Sequence, residues 1–153
     1  MAKRGTYFTG LNHLIGETVT VLADGLEHAD VVVDSLGGIT LTREAEEVIA
    51  GLKQTPILQP MPIEAGGEDG AAKGEIKRIH RVQIELYKTG KCQCGVDANS
   101  VFDVEIDDSL YSGSIRYEFS GDPDEQGKVY ITSDAPLPLT VLSLTMKGVT
   151  YAQ

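Results

Sequence analysis

The chain has 153 residues, 41% of them hydrophobic, and a formal net charge of −10. That length holds one domain or two small ones with a packed core, and the charge argues against a general nucleic-acid binder, which needs a basic face to displace counterions. No apolar run approaches the roughly 20 residues of a membrane-spanning helix, and the basic start MAKRGTYFTG has no apolar stretch behind it, so neither a membrane partner nor a signal peptide is expected.

Seventeen Gly and six Pro sit between short apolar runs, the distribution of a β protein. Residues 1–10 read as a loosely held arm. Glu17 to Leu22 alternates, with Val19 and Val21 on one face and Thr18 and Thr20 on the other, as successive side chains of a strand do. Asp24-Gly25 is a tight-hairpin pair. A strand follows over His28–Asp34, then a turn at Leu36-Gly37-Gly38 and a strand at Ile39–Leu41. Thr42 to Gly51 admits one or two capped helical turns or a turn followed by a short strand; the second is preferred, because so short a helix does not hold unaided. Pro56, Pro60 and Pro62 restrict Lys53–Glu64 to an extended edge segment.

Ala65–Ala72 is small, Gly-rich and without anything to bury, the composition of a linker. The stretch Lys73–Lys88 follows it. Val82, Ile84 and Leu86 face one way and Arg81, Gln83 and Glu85 the other, while Arg78 and His80 share the apolar parity at the strand's start. Thr89–Gly95 reads as a turn-rich loop. Val101–Ile106 alternates with Phe102, Val104 and Ile106 inward, and Ser114–Phe119 with Ile115, Tyr117 and Phe119 inward. Ser120–Gly127 is an acidic hairpin loop, Lys128–Thr132 a strand, and Asp134–Leu139 a proline-locked turn. Thr140–Lys147 closes the chain with Leu142, Leu144 and Met146 on one side. The predicted fold is all-β, in two small antiparallel modules over residues 1–64 and 75–153, joined by the linker 65–74; strand spacing of this kind is that of a sandwich or barrel.

Few constellations carry chemistry. Cys92-Gln93-Cys94 lacks two further ligands at zinc spacing, so an incidental pair is the preferred reading. Two cysteines are also too few for a disulfide-dense secreted scaffold, which favours a cytosolic origin. Asp122, Asp124 and Glu125 have the oxygens of a calcium loop without its spacing, and read as solvated charge. No P-loop, G-x-S-x-G or dinucleotide fingerprint is legible. No enzyme activity, cofactor or metal is expected. Arg78, His80 and Arg81 form a basic patch in an acidic chain. Contact with an acidic face of another copy is preferred over a merely solvated strand, and that over phosphate contact. The acidic counterpart is Asp122, Asp124 and Glu125.

Four motifs in order carry a family resemblance. They are Gly10–Gly25 (GLNHLIGETVTVLADG), with Ile39–Leu41 and Ala45–Leu52 continuing it; Pro62-Ile63-Glu64; Lys77–Val82 (KRIHRV); and Pro136–Leu142 (PLPLTVL). Together they resemble the C-terminal region of the tail nozzle, or tail tubular, proteins of short-tailed phages and prophages. Those proteins are usually several times longer, and their counterpart of the Cys92–Cys94 stretch is usually Gly-rich. The first half is similar to a small β-barrel likened to the FCCH domain of ubiquitin-activating enzymes, an analogy of fold alone. The resemblance implies a virion structural protein, made in the host cytoplasm. It would assemble with copies of itself and with adaptor and fibre proteins around an exit path where DNA passes without specific binding. The alternative is a receptor- or carbohydrate-binding β module of a phage tail, using exposed aromatics such as Tyr7 or Tyr111.

Overall fold

The computed structural model describes residues 4–62, 75–106, 110–118 and 127–151. In chain order these form β1 (Gly5–Thr9), a 3-10 turn (Asn12–Leu14), β2 (Thr18–Ala23), β3 (Leu26–Val32), β4 (Gly38–Ala45), β5 (Val48–Leu52), β6 (Ile57–Leu58), β7 (Ile76–Thr89), β8 (Cys92–Gly95), β9 (Val101–Val104), β10 (Tyr111–Glu118), β11 (Tyr130–Thr132) and β12 (Val141–Tyr151). The protein is all-β, and every strand pair is antiparallel. Backbone contacts divide it into two units. One runs as far as Gln54 and takes in Asp134–Leu137; the other comprises Thr55–Ser133 and the chain from Pro138 onward. The divide thus falls ahead of the 64/65 boundary expected from composition, because Ile57 and Leu58 pair with Thr132 and Ile131. The linker 65–74 lies outside the described residues.

The first unit has two sheets, β3-β2-β5 and β1-β4, around one core of Val19, Val21, Ala23, Val33, Ile39, Leu41 and Ala45. β2 alternates as its sequence does. Asp24 and Gly25 carry φ of 52° and 77°, the two positive values that match a hairpin turn to the strand twist. The arm expected at the N-terminus is instead strand β1, whose Tyr7 and Phe8 lie opposite Thr40 and Ile39. No helical turn follows Thr42: β4 runs on to Ala45, a tight turn follows, and β5 is the short strand expected there. β3 and β4 share no ladder. Side chains bridge them: His28 Nε2 accepts the Thr42 N–H at 3.0 Å, and Arg43 Nη2 donates to the carbonyls of Ala23 and Leu26.

Two aspartates pin the turns of this unit. Asp24 Oδ1 accepts the N–H groups of Glu46 and Glu47, both at 2.9 Å. Asp34 Oδ1 accepts those of Gly38 and Leu36, and its other oxygen accepts the Tyr7 hydroxyl at 3.0 Å. The N–H of Glu47, then that of Glu46, holds Asp24 below the ordinary 3.8; the N–H of Gly38, then that of Leu36, does the same for Asp34. A carboxylate whose folded pKa is depressed contributes stability that is complete above its unfolded value and is lost as pH falls through the folded one. Stability should therefore decline below about pH 4. An Asp24→Asn, Asp34→Asn double variant should show a shallower decline in thermal scans between pH 5 and pH 2. An acid limb as steep as that of the parent would remove both carboxylates from the account.

The second unit is a two-layer sandwich. Sheet β10-β7-β12 packs on sheet β6-β11-β8-β9 through Ile79, Val82, Ile84 and Leu86 from one layer and Cys92, Cys94, Val104 and Ile131 from the other. β7 spans both halves of its sheet. Val82, Ile84 and Leu86 are inward as expected, but Lys77 and Ile79 are inward too, so the alternation slips by one residue at His80-Arg81. The cause is a β-bulge: Lys147 lies opposite Arg81 and Gly148 opposite Ile79, leaving His80 without a partner. Arg78 is thereby turned to the solvent side, away from the apolar parity that its number suggests. A second bulge in β12 between Val141 and Ser143 turns Leu142 out, to 60% exposure, while Leu144 and Met146 face in. Phe102 is 53% exposed where the alternation placed it inward; it stacks on Tyr117 with centroids 6.1 Å apart. β6, between Pro56 and Pro60, is the edge strand that its prolines require.

Candidate functional site: the charged face of the central strand

The solvent face of sheet β10-β7-β12 is built row by row from the register. Ser114, Glu85 and Ser143 form one row, Arg116, Gln83 and Thr145 the next, and Glu118, Arg81 and Lys147 the third. Polar contacts tie the rows: Gln83 Nε2 donates to Ser114 Oγ at 2.8 Å, and Ser143 Oγ to Glu85 Oε2 at 3.1 Å. Arg81 Nε meets Glu118 Oε1 at 2.6 Å. Both side chains of that pair are more than a third exposed, so the pair orders the surface more than it stabilises the fold.

Of the expected basic patch, Arg78 is exposed, His80 is half-buried in the bulge, and Arg81 is already paired within the sheet. The expected acidic counterpart, Asp122, Asp124 and Glu125, lies outside the described residues. Lys147 was not singled out in the sequence. It is exposed, lies directly opposite Arg81, and has no ion-pair partner among the described residues. Its membership shows only once the register of β12 on β7 is known. Beside the bulge a groove of about 240 Å³ has Arg78 and Lys147 on its walls with Ile79, Met146 and Val149. Cationic rim and apolar lining together suit an acidic partner surface that also has something to bury.

The cysteines are not in a loop. They lie on β8, both on its inward face, 3% and 0% exposed, and both are free. Burial pushes Cys92 up to about 11, and burial with its neighbour pushes Cys94 up to about 12. Since the thiolate is the reactive form, these behave as small core hydrophobes. At pH 8 a thiol reagent should leave both unmodified in the folded protein and modify both in denaturant. Fast labelling of the native chain would contradict their burial. Among the described residues no group of three or more His, Cys, Asp or Glu side chains is placed to hold a metal ion.

The aromatics of the alternative reading are locally engaged and belong to separate units. The Tyr7 hydroxyl donates to Asp34, and its ring occupies the space where a side chain on Gly38 would stand. The Tyr111 hydroxyl donates to the Ser114 carbonyl at 3.3 Å. No protein-family model matches the chain, and no curated protein matches it.

Proposed function

We propose that this chain is a non-enzymatic structural component of the tail of a short-tailed phage, a nozzle or tail-tube part. It assembles with other copies of itself, and with adaptor and fibre neighbours, around the DNA exit path. The observation that carries this is the gathering of Arg78, Arg81 and Lys147 on one sheet face of a chain whose net charge is −10. Such a chain is complementary to itself head to tail, the heterologous contact that a ring needs. The four motifs in order supply the class. The acidic remainder suits a surface that repels phosphate and lets DNA slide.

The test is native mass measurement by mass photometry or native mass spectrometry. A closed oligomer is expected, falling apart as salt rises. Arg78→Glu combined with Arg81→Glu should weaken assembly while circular dichroism of the monomer stays unchanged. A chain that remains monomeric at every concentration, with or without tail neighbours, would sink the reading.

A further inference from the structure

Among the described residues the second unit has four sheet edges, and two of them are short. β6 is two residues long and flanked by prolines, and β9 is four residues long. β10 carries both Arg116 and Glu118, charges that select which strand it accepts. β12 is different. It has eleven residues, no proline and a single charge. A long edge strand of low charge is a template for adding another strand.

We propose that β12 pairs with β10 of a second copy of this chain, so that sheet β10-β7-β12 continues from copy to copy. This deepens the assembly reading above and rests on it. β10 and β12 are both antiparallel to β7, so they run parallel to each other, and copies related by rotation around a ring present β12 to the next β10 in parallel. Parallel ladders hold slightly less well per residue than antiparallel ones, so side chains must choose the partner. Here one charged row and two apolar rows agree. The row Glu118–Arg81–Lys147 places Lys147 beside Glu118 of the next copy, an opposite charge. Thr145 falls beside the next Arg116. On the inner face, the rows Ile115–Ile84–Leu144 and Tyr117–Val82–Met146 continue as apolar onto apolar. The ladder covers Leu144–Lys147 against Ile115–Glu118, below the carbonyl that Tyr111 holds. Two β12 strands paired about a two-fold axis near Lys147 would instead bring the Lys147 of both copies to one seam, where like charges oppose.

Oxidative cross-linking separates these arrangements, because adjacent strands lie about 4.8 Å apart, within reach of a disulfide. The native thiols are buried and do not compete. Thr145→Cys mixed with Arg116→Cys should give cross-linked pairs, and neither variant should do so alone. A chain carrying both substitutions should give a ladder ending at the full oligomer. Pairs from Thr145→Cys alone would establish the two-fold arrangement and overturn the proposal. A closed oligomer by native mass without cross-linking would overturn it and leave the assembly reading standing; no oligomer at all would overturn both. A second measurement guards against misfolded variants. Lys147→Glu should weaken assembly roughly tenfold or more, and Lys147→Glu with Glu118→Lys should restore it, because the exchange re-forms an opposite pair both within and between copies. Failure of the exchange to restore assembly in a folded protein would count against the register.

Discussion

Truncating Ile84 to alanine is expected to cost about 2–5 kcal/mol, the range for deleting a branched core side chain and leaving the space behind. Ile84 is fully buried at the middle of β7, with Ile115 and Leu144 on either side of it in the same layer and the Cys94 layer beneath. All its neighbours are strands held by ladders on at least one side, so the site has little room to collapse. The companion variant is Leu142→Ala. Sequence alternation makes the two leucines of β12 equivalent, but Leu142 sits in a bulge at 60% exposure, and its truncation should stay within about 0.5 kcal/mol. Denaturant unfolding followed by circular dichroism, with unchanged slopes, measures both. Equal costs for Ile84→Ala and Leu142→Ala would mean that the β12 bulge is misplaced, and with it the polarity of the β12 rows.

That contrast also marks what the sequence could and could not convey. Alternation reports which face a side chain takes, so Val19, Val21, Val82, Ile84 and Leu86 were legible one by one, as were the Asp24-Gly25 hairpin and the proline-bound edge at Ile57-Leu58. Alternation counts residues, however, and a bulge inserts one without changing the count. The parity read at Val82 therefore gave the wrong face for Arg78, and that read at Leu144 the wrong face for Leu142. Nothing local in KRIHRV or TVLSL announces the slip, because it is set by the opposing strand. Cys92-Gln93-Cys94 was misread for a different reason. Gly90 and Gly95 flank it as in a loop, and its apolar character is plain only when the thiols are counted as hydrophobes. The candidate site was half legible. Charge density located Arg78, His80 and Arg81, while Glu118 and Lys147 entered only through strand register, a long-range property.

Replacing Gly148 by valine should destabilise the second unit by about 1–3 kcal/mol, the usual cost of forcing atoms into a filled site. Two effects compete here. Valine favours strands over glycine by up to about 1 kcal/mol, and Gly148 is exposed and outside the left-handed region, so neither burial nor backbone strain opposes the change. Yet a Cβ on Gly148 would stand 2.7 Å from the Arg78 carbonyl oxygen and 3.3 Å from its carbon. Those are backbone atoms of the neighbouring strand, which cannot rotate aside as a side-chain tip would. The strands must separate at the point where the His80 bulge already removes a ladder partner, so the steric effect wins. Gly148→Ala should show most of the loss, since the clash belongs to Cβ. Because the same bulge turns Arg78 outward and seats Arg81 opposite Lys147, the variant should lose assembly as well as stability. Arg78→Ala should lose assembly with little change in stability. A Gly148→Val protein as stable as the parent would mean that β7 and β12 are not in close contact at the bulge. The three cations would then have no rigid seat from which to meet a second copy.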